Sequence, residues 1–155
     1  MSDQTQPQID GRPDDYRGFS IGAVVAIVGA LITLAAYPMV WWVAKDDSDS
    51  WIKGIGTTHA SPGSSIEFHS SKLHVAAGAG AVVLIIVAIA RLIGKYDHEW
   101  NRATYVAGGV ALVGALYSCF VPIGADFTTS TGVYVVLVGG ILAAIGAALI
   151  AVAKK

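Results

Sequence analysis

Five side chains near two chain turns have the types that bind a transition metal. Glu67, His69 and His74 stand together, Asp126 lies at a second turn, and Cys119 is the single cysteine. Neutral imidazole with carboxylate suits zinc or copper, and a thiolate would strengthen either site. The spacing argues against it. His69 and His74 are five residues apart, off the step of three or four that places two ligands on one helix face. No second close pair supports them, so no metal and no cofactor is expected, with Glu67, His69, His74 and Asp126 the only outer-face candidates.

Other chemistries lack their residues. One cysteine cannot form a disulfide within the chain or serve a dithiol oxidoreductase. The acidic run Asp46, Asp47, Asp49 lacks the glycine and the twelfth-position glutamate of a calcium loop. Asp97, His98 and Glu99 read as a solvated turn. No phosphate-binding glycine pattern or serine nucleophile motif occurs, so the chain is expected not to be an enzyme. Ten Lys and Arg against eleven Asp and Glu, without a basic block, exclude a nucleic-acid partner.

The elements that carry these residues follow from composition. Of 155 residues, 54% are hydrophobic and 14% charged. Soluble domains carry about 25% charged residues, so this surface is not built for water. Residues 1–17 are polar and aperiodic and read as a mobile tail. Residues 18–44 then contain no ionisable Asp, Glu, Lys, Arg or His. Three more apolar runs follow at about 73–95, 103–125 and 132–153. Each is long enough for a hydrocarbon layer of roughly 30 Å. Backbone in lipid must satisfy its own hydrogen bonds, so unbroken apolar runs mean helices.

The fold expected is therefore an all-α integral membrane protein with four transmembrane helices in an antiparallel bundle. Residues 18–155 form its single domain, with one long extracytoplasmic loop at 45–72. The second helix is expected to run past the membrane, since residues 96–102 hold no glycine or proline. Arg12, Arg17, Arg91, Lys95, Arg102, Lys154 and Lys155 fall on one side, against Lys45, Lys53 and Lys72 on the other. The positive-inside rule then puts both termini in the cytoplasm. Trp41 and Trp42 at the outer interface, and Arg91 and Trp100 at the inner, are expected as anchors.

Leu against Leu gains little in lipid, so small residues should mark the helix contacts. Gly132, Gly139 and Gly146 recur every seven residues in the fourth run, and Gly22, Gly29 and Ala36 in the first. Such stripes stay on one face of helices crossing at a small left-handed angle. Ala107, Ala111 and Ala115 form a second groove at four-residue spacing in the third run. Residues 26–31, AIVGAL, also nearly repeat as ALVGAL at 111–116.

An ionisable group at mid-depth is the usual mark of a transport path or proton relay, and none of the four runs has one. The function expected is that of a non-catalytic accessory, scaffold or assembly subunit of a larger complex in a bacterial cytoplasmic membrane. Actinobacterial envelope and respiratory assemblies hold small subunits of this general build. Its partners would be the lipid bilayer and other membrane subunits, or itself. One alternative is a homo-oligomeric transporter or channel, for which Ser20, Thr33, Tyr37, Ser118 and Cys119 offer only a broken polar strip. A second is an envelope sensor or metal-binding protein using His69, His74 and Asp126.

Overall fold

The computed structural model describes residues 20–63, 66, 73–120 and 126–152. The chain is mostly helical. The first helix, α1 (Ile21–Ala36), starts where the Ser20 hydroxyl accepts the Ala23 amide at 3.3 Å, which fills one of the donors a helix start leaves open. Three short strands follow: β1 (Val40–Ala44), β2 (Trp51–Lys53) and β3 (Thr58–His59). Then come α2 (His74–Leu92), a 3-10 turn (His98–Trp100), α3 (Asn101–Phe120), β4 (Phe127–Thr129) and α4 (Thr131–Val152). Three helices, α2, α3 and α4, are long and apolar enough to cross a membrane; α1 has 16 residues and is shorter.

Three expectations need correction. The first apolar run is not one helix to residue 44, because α1 ends at Ala36 and the chain re-forms as β1 after Pro38. Nor is the fold all-α: the strands make an antiparallel sheet in the order β3-β2-β1-β4. Trp42 pairs with Ile52 on one side and Thr129 on the other. The α1–α2 connection and the α3–α4 turn therefore share one sheet at the same end of the bundle. The second helix also stops short. Gly94, at φ 72°, takes the left-handed conformation, and the Lys95 amide reaches back to the Ala90 carbonyl at 2.8 Å. This is the helix ending that glycine favours after the last turn. Residues 121–125 and 153 of the expected third and fourth helices lie outside the described residues.

The helices form a closed ring in which α1 packs on α2 and α4, and α3 packs on the same two. The α1–α4 seam is the tightest. A methyl group on Gly22 would stand 2.8 Å from the Ile150 nitrogen, and one on Gly139 would stand 2.6 Å from the Thr33 nitrogen. Gly29 lies on Ala143 and Gly146 on Ala26, equally close. Gly132, the third member of the α4 stripe, meets Val40 and Trp41 beyond the end of α1, while Ala36 is fully buried. In α3, Ala107 and Ala111 meet Gly80 of α2, and Ala115 meets Gly140 of α4. Gly29 and Gly114 hold the same place in the two near-identical hexapeptides, and both sit at a crossing, Gly29 on α4 and Gly114 on α2.

Side-chain size is inverted relative to a water-soluble bundle. Ala23, Ala26, Ala30, Ala77, Ala81, Ala111 and Ala143 are fully buried, whereas Leu31, Ile86, Ile141 and Leu149 face outward. The buried hydroxyls satisfy themselves locally: Thr33 donates to the Gly29 carbonyl at 2.9 Å and Ser118 to that of Gly114 at 2.9 Å. At the end opposite the sheet, the buried Tyr96 hydroxyl bonds Asn101 Oδ1 at 2.6 Å and Thr104 Oγ1 at 2.9 Å. That contact ties the α2–α3 connection to the first turn of α3.

Candidate functional site

Polar and aromatic groups converge where the sheet caps the bundle. Alternation along a strand would send Trp41 and Trp42 to opposite faces, one of them outward. The irregular register between Val40 and Trp42 removes that alternation. Both indoles are buried, with 0% and 1% exposed. They are thus interior groups of the cap and not interface anchors. Trp41 fits between Gly54 and Gly132, where a β-carbon on either glycine would collide with the indole. Its Nε1 donates to the Ala36 carbonyl at 2.7 Å, filling one of the acceptors left open at the end of α1.

His74 completes the cluster. Its ring lies 6.0 Å from both indole rings, edge-on at 74° to Trp41 and 90° to Trp42. Tyr37 stands 5.0 Å from Trp41. The Tyr37 hydroxyl donates to the His74 carbonyl at 2.6 Å and accepts the Gly78 amide at 2.8 Å, the two groups that a helix normally joins to each other. Gly78 admits this approach, since a methyl there would come within 2.9 Å of the hydroxyl. A phenol from the end of α1 thus bonds into the first turn of α2. Tyr37→Phe leaves that carbonyl and amide without the hydroxyl, and is expected to lower stability by about 1–2 kcal/mol. An unchanged unfolding midpoint in detergent would show that the bridge carries no energy.

The Trp42 Nε1 is buried and, among the described residues, has no hydrogen-bond partner. On the outer side of the sheet Trp51 stacks on His59 at 5.1 Å, and the Lys53 ammonium lies 5.1 Å from the Trp51 ring centre. The loop before β2 is closed by Asp47, which accepts the Ser50 hydroxyl at 2.6 Å and the Asp49 amide at 3.1 Å. Hydrogen bonds from Ser50, then Ser61, hold this carboxyl below the usual carboxylate range. A carboxyl depressed in the folded state contributes stability above its unfolded pKa and loses it as pH falls. Cleavage by an acid-tolerant protease within residues 45–53 is therefore expected to rise below about pH 4. In Asp47→Asn it should be raised already at neutral pH, with the acid dependence flattened. Equal cleavage of the two proteins across that range would discount the carboxylate.

The metal candidates separate as follows. His74 is buried against two indoles, and Asp126 is exposed directly before β4, where its carbonyl accepts the Lys45 amide at 2.8 Å. Glu67 and His69 lie outside the described residues. Among the described residues no group of three His, Cys, Asp or Glu gathers to hold a metal. Cys119, half-buried, points its sulfur toward the Val133 carbonyl at 4.0 Å. Of the other two expected anchors, at the end opposite the sheet, Arg91 is half-buried with its guanidinium 5.3 Å from the Tyr96 ring centre, and Trp100 is 40% exposed.

No protein-family model and no curated protein matches the chain. In the sequence Tyr37 stands out only as one member of a broken polar strip, and neither Gly54 nor Gly78 is marked as a ring contact. The signal for Gly54 and Gly78 was their contact across the fold, which spacing along one helix does not report.

Proposed function

We propose that the chain is a non-catalytic membrane protein that serves as an accessory, scaffold or assembly subunit of a larger complex. In this reading it crosses the bilayer four times, with both termini cytoplasmic and the sheet on the outer side. The inverted core supports membrane embedding, because helices in lipid associate through small residues and turn large aliphatic ones outward. The fourth span is supported by the α1–α4 seam. The chain from Gly22 to Trp41 accompanies α4 from Ile150 to Gly132, so it covers nearly the whole depth of that helix although α1 itself is shorter. Lys45 and Lys53 at the sheet end, against Arg91, Lys95 and Arg102 at the other, support the orientation.

The observation that carries the functional reading is how the bundle is filled. Glycines bring the backbones of α1 and α4, and of α2 and α3, into contact, and alanines occupy the remaining interior. A single chain closed in this way has little room to conduct anything along its axis. What it offers is a rigid body with an ordered cap. The test is purification from the native membrane in a mild detergent, with the mass of the intact particle measured. A fixed-stoichiometry particle containing a larger membrane protein is the expected result. A pure homo-oligomer would overturn the subunit reading in favour of a path between copies.

A further inference from the structure

Gly109 is unlike the glycines at the helix crossings. A methyl group there would meet nothing within 4 Å, and it lies on the outward face of α3. Arg102, Tyr105, Val106 and Val113 share that face, at the three- and four-residue steps that align side chains along a helix. Tyr105 is 50% exposed, Val106 64% and Val113 65%. The result is an apolar strip with a notch at its middle and a guanidinium at its end. Lys95 lies in the connection that leads into α3, whose Tyr96 bonds Asn101, the residue before Arg102, at 2.6 Å. Trp100, 40% exposed, adds an aromatic of the kind that settles at headgroup depth.

We propose that this face binds an anionic phospholipid, the headgroup phosphate at Arg102 and Lys95 and one acyl chain along Tyr105, Gly109 and Val113. The proposal rests on the reading that the chain spans the membrane. Charge selects the occupant. A second copy packed on this strip about a two-fold axis along the membrane normal would bring the two Arg102 side chains together, and like charges repel. A phosphate at the same place neutralises them. Asp97 and Glu99 lie in the same connection, both exposed, so the selectivity expected is that of one or two cations. A cation near a charged membrane surface changes affinity by about fivefold.

The experiment is native mass spectrometry of the full chain in a neutral detergent, titrated with phosphatidylglycerol and, separately, phosphatidylcholine. Phosphatidylglycerol adducts should predominate. Arg102→Gln should lower that preference about fivefold, and Gly109→Leu, which fills the notch, should weaken retention of both lipids. Circular dichroism of each variant should match the parent; a variant that fails this control is replaced by Lys95→Gln, which leaves α3 intact and should lower the preference in the same direction. Equal binding of the two lipids by the parent would overturn the proposal, as would an unchanged preference in Arg102→Gln. A dimer lost in Gly109→Leu with lipid adducts unaltered would overturn it in favour of a second copy. Extraction of the chain from membranes by alkaline carbonate would defeat the spanning reading itself. A chain that needs detergent yet shows no preference defeats only the lipid site.

Discussion

Gly29→Ala is expected to lower the stability of the folded bundle by about 3 kcal/mol, while Gly109→Ala leaves it unchanged or slightly raised. The two substitutions add the same methyl group to helices of similar character. They differ in what the methyl meets. At Gly29 it would collide with the Ala143 nitrogen and stand 2.7 Å from the Leu142 carbonyl carbon and 2.8 Å from the Gly139 oxygen. All three are backbone atoms and cannot rotate aside. Relief requires α1 and α4 to separate by roughly 1 Å, since carbon contacts are favourable near 3.5–4.0 Å. That separation also loosens the contacts at Gly22, Gly139 and Gly146. At Gly109 there is open space, and alanine is the better helix former. The measurement is helicity against increasing denaturing detergent in mixed micelles. Equal midpoints for Gly29→Ala and the parent would show that the seam is not close-packed in solution.

Trp41→Ala is expected to cost about 3–5 kcal/mol, the range for removing a large buried aromatic. Trp41 is the joint between sheet and bundle. It is fully buried, fills the gap between Gly54 and Gly132, and donates its indole proton to the end of α1. Its loss leaves a cavity beside Trp42 and His74 and an acceptor without its donor. The effect should concentrate at the cap. Near-ultraviolet circular dichroism should collapse and cleavage after Lys45 and Lys53 should increase, while far-ultraviolet helicity falls much less. Trp51→Ala, on the outer side of the sheet, should stay within about 1 kcal/mol. A Trp41→Ala protein as protease-resistant as Trp51→Ala would show that the cap does not depend on this joint.

The contrast between these tryptophans shows what the sequence could and could not disclose. Hydropathy located the three longer helices, because an apolar run of twenty residues has few other forms it can take. It could not separate α1 from β1. Val40 to Ala44 is as apolar and as free of charge as the helix before it, and a window that averages over the whole run sees no boundary. The local signals were Pro38, which disfavours helix in the residue before it, and the aromatic and β-branched character of Val40, Trp41, Trp42 and Val43. They are short, and a transmembrane reading overrides them. The partner of β1 was harder to see, since Trp42 pairs with Thr129 across more than half of the chain.

The glycines divide along similar lines. The seven-residue steps in α1 and α4 are local patterns, and their members lie in the α1–α4 seam except at the ends, where Gly132 receives Trp41 and Ala36 faces the cap. Gly54 and Gly78 belong to no such pattern, because each is shaped by one ring arriving from elsewhere. The metal candidates show the reverse case. His74 had a suitable residue type and a plausible neighbourhood, but the structure surrounds it with indoles. Residue type indicates what a group is able to do, and position in the fold indicates what it is offered.

The sheet order carries a consequence for how the molecule is made. β1 is translated early and waits for two partners: β2, a few residues later, and β4, which emerges only after α2 and α3. The hydrogen bonds from Ser130 to Trp41 and from Lys45 to Asp126 likewise join the first third of the chain to the last. The cap can therefore close only once the last third of the chain is made. Because α4 begins directly after β4, its closure coincides with delivery of the last helix. A nascent chain that stops before β4 would present a half-built sheet with an open β1 edge and an α1 stripe without its partner, both of which a quality-control protease can recognise.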